Sequence, residues 1–150
     1  METSAACAGS DAEPGPKPRV AIVLDESLGA GLGANAAAVL AVTLSALVPG
    51  LPGPDVVDRD GTSYPGLIPI GLPILKASRA DLHAMHDRAR QMAGVTVVTF
   101  PYHGQQTTDY AEYASRVAAS STAEIEHIGL ALHGSRKQVG KLVGQLPLLR

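Results

Sequence analysis

A three-layer α/β/α sandwich is the fold class this sequence predicts. Three observations predict it: short apolar runs rich in β-branched residues, longer runs with helical spacing between them, and Gly or Pro at nearly every junction. The length of 150 residues allows one domain with one core. Hydrophobic residues make up 45% of the chain but aromatics only 3%, so the core must be built from Ala, Val, Leu and Ile.

Residues 1–17 (METSAACAGSDAEPGPK) are rich in Gly, Pro, Ser and Ala and are expected to form a disordered tail, leaving 18–150 as the single folded domain. Residues 19–25 (RVAIVLD) form an apolar run without strict alternation, as expected of a central strand covered on both faces. A glycine-rich turn at 29–33 leads into 34–48, whose Ala and Leu content favours helix and which ends at Pro49 and Gly50. This helix is apolar nearly all round, so cover is expected from the sheet and from a second subunit, making the protein a homodimer through its first helix.

Residues 50–66 read as a loop with a small hairpin. Residues 67–76 (LIPIGLPILK) form the second strand, confined to a sheet edge by Pro69 and Pro73. Ser78 is the expected N-cap of a helix reaching Ala93, with Leu82, Met85, Ala89 and Met92 on one face. A third strand follows at 95–100, a short helix at 109–119, a fourth strand at 126–133 and a final helix at 135–145. Right-handed crossovers would make the first three strands parallel.

The N-terminus has neither a basic start nor an apolar stretch typical of a secretory signal, and the cytoplasm is the expected location. The run at 34–48 falls short of the ~20 residues of a membrane span, so it is read as a buried helix. A net charge of −2 disfavours general nucleic-acid binding. The single cysteine, Cys7, excludes a disulfide within the chain.

The stretch LPILKASRADLHAMHDRARQMAGVTVVTF and the ending IGLALHGSRKQVGKLVGQLPLLR resemble the type II peptidyl-tRNA hydrolases. GLGANAAAVL, PILKA and the closing LPLLR are closer still to an uncharacterised bacterial family, the domain of unknown function two-thousand. The resemblance implies a mixed four-stranded sheet in the order 2-1-4-3 with the fourth strand antiparallel. Those hydrolases carry Gly-Lys-Gly-Lys before the first helix, where this chain has Gly31-Leu32-Gly33-Ala34. Their Gln-Asp-Ala-Gly after the third strand is matched here by Pro101-Tyr102-His103-Gly104. Both lysines and the carboxylate are absent, so that hydrolytic mechanism has no residues to run on.

Ligands of parallel βαβ units bind beyond the C-terminal strand ends. There Asp25, Lys76, Tyr102 and His103 are expected to meet Gly33 and Asn35 at the start of the first helix. Asn35 and the helix N–H groups would hold an oxyanion of an unknown small-molecule ligand, Lys76 would supply charge, and His103 would move protons. Asp25, Lys76 and His103 are thus the catalytic candidates, and Gly33, Asn35 and Tyr102 the binding ones. The bland alternative has Asp25 and Lys76 simply paired and His103 solvated. Gly29 to Ala34 also match the dinucleotide fingerprint, but Asp25 and Glu26 precede it, the next segment is Pro-rich, and no cofactor is expected. His83, His86 and Asp87 flank an apolar stripe and are read as a solvated face, with no metal. Arg136 and Lys141, with Lys137 between them, form a candidate anion or residual tRNA patch, or an ordinary solvated helix face.

Overall fold

The computed structural model describes residues 17–150, so Cys7 and, except for Lys17, the expected tail lie outside the described residues. The strands are β1 (Pro18–Asp25), β2 (Val56–Val57), β3 (Ser63–Tyr64), β4 (Ile74–Ala77), β5 (Thr96–Pro101) and β6 (His127–Ser135). The helices are α1 (Ala30–Leu47), α2 (Arg79–Arg90), α3 (Tyr102–Gln105), α4 (Tyr110–Ala118) and α5 (Arg136–Val143).

Four strands form one mixed sheet in the order β4-β1-β6-β5. Counted along the chain among the main strands, this is the expected order 2-1-4-3. β4 runs parallel to β1, while β6 runs antiparallel to both β1 and β5. The pleat of β1 sends Val20, Ile22 and Leu24 to one face and Ala21 and Val23 to the other. On the first face they pack against Ala36, Ala37, Leu40 and Leu44 of α1. On the second they meet Leu82, Met85 and Ala89 of α2 and Val139, Leu142 and Val143 of α5. Every residue from Val20 to Leu24 is at most 1% exposed, which explains why the run lacks strand alternation.

One strand differs in length from the sequence reading, and β4 and α1 carry features it did not describe. The second strand is only four residues long, because Pro69 and Pro73 have no N–H for a ladder; Ile68, Ile70 and Leu72 instead pack over the α1 face of the core. β4 is the edge strand of the sheet as expected, and residues 147–149 lie beside it: the Lys76 amide donates to the Pro147 carbonyl (3.0 Å) and the Leu149 amide to the Ile74 carbonyl (2.9 Å). α1 is covered along one stripe only, leaving Leu32, Val42 and Leu47 exposed at 51%, 72% and 58%. By length and composition alone α1 would also suffice to cross a membrane.

Helix starts follow the capping residues. The Ser78, Asp109 and Ser135 side chains accept from the amides of Asp81, Glu112 and Gln138 respectively. Residues 102–105, between the expected third strand and the short helix that follows it, form the single turn α3. The expected hairpin at 50–66 is β2 and β3, turned by Asp58, whose Oδ1 accepts the Asp60 and Thr62 amides.

Candidate functional site

The residues expected to converge are distributed over several places. Register pairs Leu24 with Lys76 and Asp25 with Ala77, so Asp25 and Lys76 stand on opposite faces of the sheet. Neither the catalytic pairing nor the bland ion pair between them forms. Asp25 is instead 2% exposed on the α2 face and fully occupied. Its Oδ1 accepts the Ser27 amide (2.9 Å) and hydroxyl (2.8 Å), and its Oδ2 accepts Arg79 Nε (2.6 Å). Burial alone would raise the Asp25 pKa, but the Ser27 amide and the Arg79 guanidinium outweigh it and hold the carboxyl below its usual range.

Arg79 also reaches Glu126 (3.2 Å) and lies 5.6 Å over the Tyr102 ring, so Asp25 and Tyr102 are joined through a residue the sequence reading did not single out. Its signal was its place directly after the N-cap Ser78, two residues beyond Ala77, the β4 end that pairs with Asp25. His103 turns to the segment just after α4, where its Nε2 hydrogen-bonds the Ser120 hydroxyl at 3.0 Å. Gly33 is buried against Leu24. Arg136 and Lys141 line two separate clefts.

Of the expected binding residues, Asn35 lines an open cleft of about 410 Å³ beside the C-terminal end of β5. Asn35 and Thr43 of α1 form one wall, Phe100 lies on β5, and Tyr110 and Tyr113 of α4 form the opposite wall. Gly104 also lines the cleft, and a Cβ there would stand 2.8 Å from the Phe100 ring, so glycine lets α3 fold down against that ring. Burial lifts the Tyr113 phenol above its ordinary value, keeping it a neutral hydroxyl at physiological pH. Among the described residues no Lys, Arg, His, Cys or Glu lines this cleft. Its one carboxylate, Asp109, already caps α4. The geometry suits holding an uncharged body with aromatic and hydroxyl contacts more than it suits proton transfer.

On the α2 face, a shift in the β5–β6 register between Phe100 and Pro101 accompanies the placing of His127 beneath α2. His127 is 2% exposed, with its Nδ1 sharing a 2.6 Å hydrogen bond with the Thr99 hydroxyl and its Nε2 buried without a partner. Its ring centroid stands 4.3 Å from that of His86 and 5.6 Å from that of His83. Burial, and then the neighbouring imidazoles His86 and His83, push His127 down to about 4. His86 is lowered too, chiefly by burial. This corrects the reading of His83 and His86 as part of a solvated face, since His86 is only 12% exposed. Among the described residues, no three His, Cys, Asp or Glu side chains are placed to hold a metal ion.

A solved structure of a protein of unknown function, Atu0240 from Agrobacterium tumefaciens strain C58, superposes with a TM-score of 0.78 at 21% identity. It covers 87% of this chain and 96% of the other. That likeness shows the fold. No curated protein matches the chain. The model of a protein family of unknown function, DUF2000, matches residues 18–150, and the chain belongs to that family.

Proposed function

We propose that this protein binds a small, largely uncharged organic molecule in the cleft between α1, β5 and α4, on a scaffold similar to the type II peptidyl-tRNA hydrolases but without their chemistry. The observation that carries this reading is the cleft itself. Its 410 Å³ falls in the size range of small-molecule sites, and Phe100, Tyr110 and Tyr113 supply stacking surface while Asn35 and Thr43 supply polar contacts. The sheet order supports the scaffold. Leu32 and Ala34 stand where that family's lysines would be, and such charge-stabilising donors are each worth about a hundredfold or more in rate.

The test is a thermal-shift screen of an uncharged-metabolite library, followed by calorimetry on the hits. A ligand at about a hundred times its Kd stabilises by about 2.7 kcal/mol. Thr43→Trp, which places a bulky ring in the cleft, should abolish that stabilisation while leaving the unliganded protein folded. Ligands that bind Thr43→Trp as well as wild type would refute this location, and so would a screen without hits on folded protein.

A second reading concerns α1, whose outward face carries exposed Leu32, Val39, Val42 and Leu47. Homodimerisation through this face would cover them and roof the cleft, because Val39 and Thr43 line it. Light scattering should give twice the monomer mass, falling to one monomer for Val42→Arg. A wild-type monomer at high concentration would exclude the dimer.

A further inference from the structure

The N-terminal end of β1 and the C-terminal end of β6 meet at one end of the two central strands, where Pro18 pairs with Ser135 and Arg19 with Gly134. That register brings Lys17 and Arg19 beside Arg136, the first residue of α5. The Ile22 amide donates to the Pro73 carbonyl (3.0 Å), tethering the proline-rich segment alongside. Together these segments line a cleft of about 450 Å³ that shares no residue with the one beneath α1.

Among the described residues its ionisable groups are all cationic: Lys17, Arg19 and Arg136 line it, and no carboxylate does. None of the three forms an ion pair among the described residues. In a chain of net charge −2, three of the 12 Lys and Arg residues thus surround one cleft that no carboxylate of the described residues lines. Gathering like charges is unfavourable unless an anion offsets them. The amides at the start of α5 lack helical partners and add positive potential at the same rim. Pro69, Ile70 and Pro73 supply apolar wall.

We propose that this cleft binds a small phosphorylated molecule, with Lys17, Arg19 and Arg136 holding the phosphoryl group and Ile70 and the prolines taking the organic body. Guanidinium groups suit phosphate oxygens because their N–H donors match them two at a time. A nucleic acid would need a continuous basic track, whereas Lys141 opens onto a different cleft that also holds Asp81.

The experiment is an amide-shift titration of the full chain with inorganic pyrophosphate, with a short single-stranded RNA as a second arm. Saturable shifts are expected at Arg19, Gly71 and Arg136, with affinity about tenfold weaker in Arg19→Gln and in Arg136→Gln. Lys137→Gln, which removes a neighbouring charge outside the cleft lining, should stay within about twofold of wild type. All three are exposed or half-exposed positions, so their spectra report folding directly. Absent or non-saturating shifts, or equal affinity in Arg136→Gln, would overturn the proposal. RNA binding tighter than pyrophosphate and dependent on Arg136 would overturn the small-molecule occupant in favour of a nucleic acid.

Discussion

Acidification should destabilise this protein through one side chain well before its carboxylates protonate. His127 is buried beneath α2, facing His83, His86 and Asp87 on that helix and Thr99 on β5, and its pKa falls from an ordinary 6.5 to about 4. A histidine with a depressed folded pKa is neutral in the fold where the unfolded chain already takes up a proton. Stability is therefore intact above pH 6.5, is lost as pH falls from there towards 4, and levels off below that. The full gap corresponds to about 3 kcal/mol, of which about 2 kcal/mol is lost by pH 5. His86, lowered by the same burial, acts in the same direction. Asp25 acts in a separate window, because its carboxylate loses its stabilising contribution only as pH falls below the ordinary 3.8 towards its depressed folded value. The assay is urea unfolding followed by circular dichroism at pH 7.5 and pH 5.0, for wild type and His127→Asn. The variant removes the titration, so its stability advantage or deficit relative to wild type should move by about 2 kcal/mol in the variant's favour on acidification. Parallel pH dependences for the two proteins would refute the reasoning, since the static cost of the substitution cancels in the comparison.

Arg79→Met leaves the buried Asp25 carboxylate without its cation and should cost about 2 kcal/mol in urea unfolding, less than for a fully buried pair because Arg79 is 48% exposed. An Asp25→Asn, Arg79→Met double-mutant cycle should show positive coupling between them. Gly129→Ala should cost about 1–3 kcal/mol, since the new methyl would stand 2.8 Å from Leu24 Cδ2 and 2.9 Å from Leu40 Cδ1. Ser78→Ala removes the cap of α2 and should cost about 1 kcal/mol, read as a lower midpoint with an unchanged slope.

The fold was legible where local and tertiary demands agreed. The run at 19–25 is apolar because it is covered on both faces, and Ser78 and Asp109 mark helix starts because their side chains accept amides there. The strand order rested on the family resemblance, since periodicity carries no information about which strands pair. The candidate site was far less legible. Placing Asp25 and Lys76 at neighbouring strand ends was correct, but the register that puts them on opposite faces is a property of the pairing, not of either strand. The aromatic wall of the cleft comes from Phe100 and from Tyr110 and Tyr113, which sequence spacing does not mark as one surface. His127 was missed because its local signal is a lone histidine opening an apolar strand, and only the irregular β5–β6 pairing reveals its neighbours. The apolar character of α1 signalled a need for cover on more than one side, and within the chain its sheet-facing stripe is the part that is covered.

The position of β1 between β4 and β6 also fixes when the fold can close during synthesis. β1 is the first of the described strands and is buried from Val20 to Asp25, yet its parallel neighbour comes only at Ile74–Ala77 and its antiparallel one at His127–Ser135. At roughly 5–20 residues per second, several seconds separate the emergence of those two partners. Through that interval one edge of β1 remains unpaired, and the α2 face of the sheet lacks α5. Slowing translation beyond Arg90 should therefore lengthen the exposure of a strand that pairs readily with other chains, and raise the fraction of product that aggregates before β6 arrives.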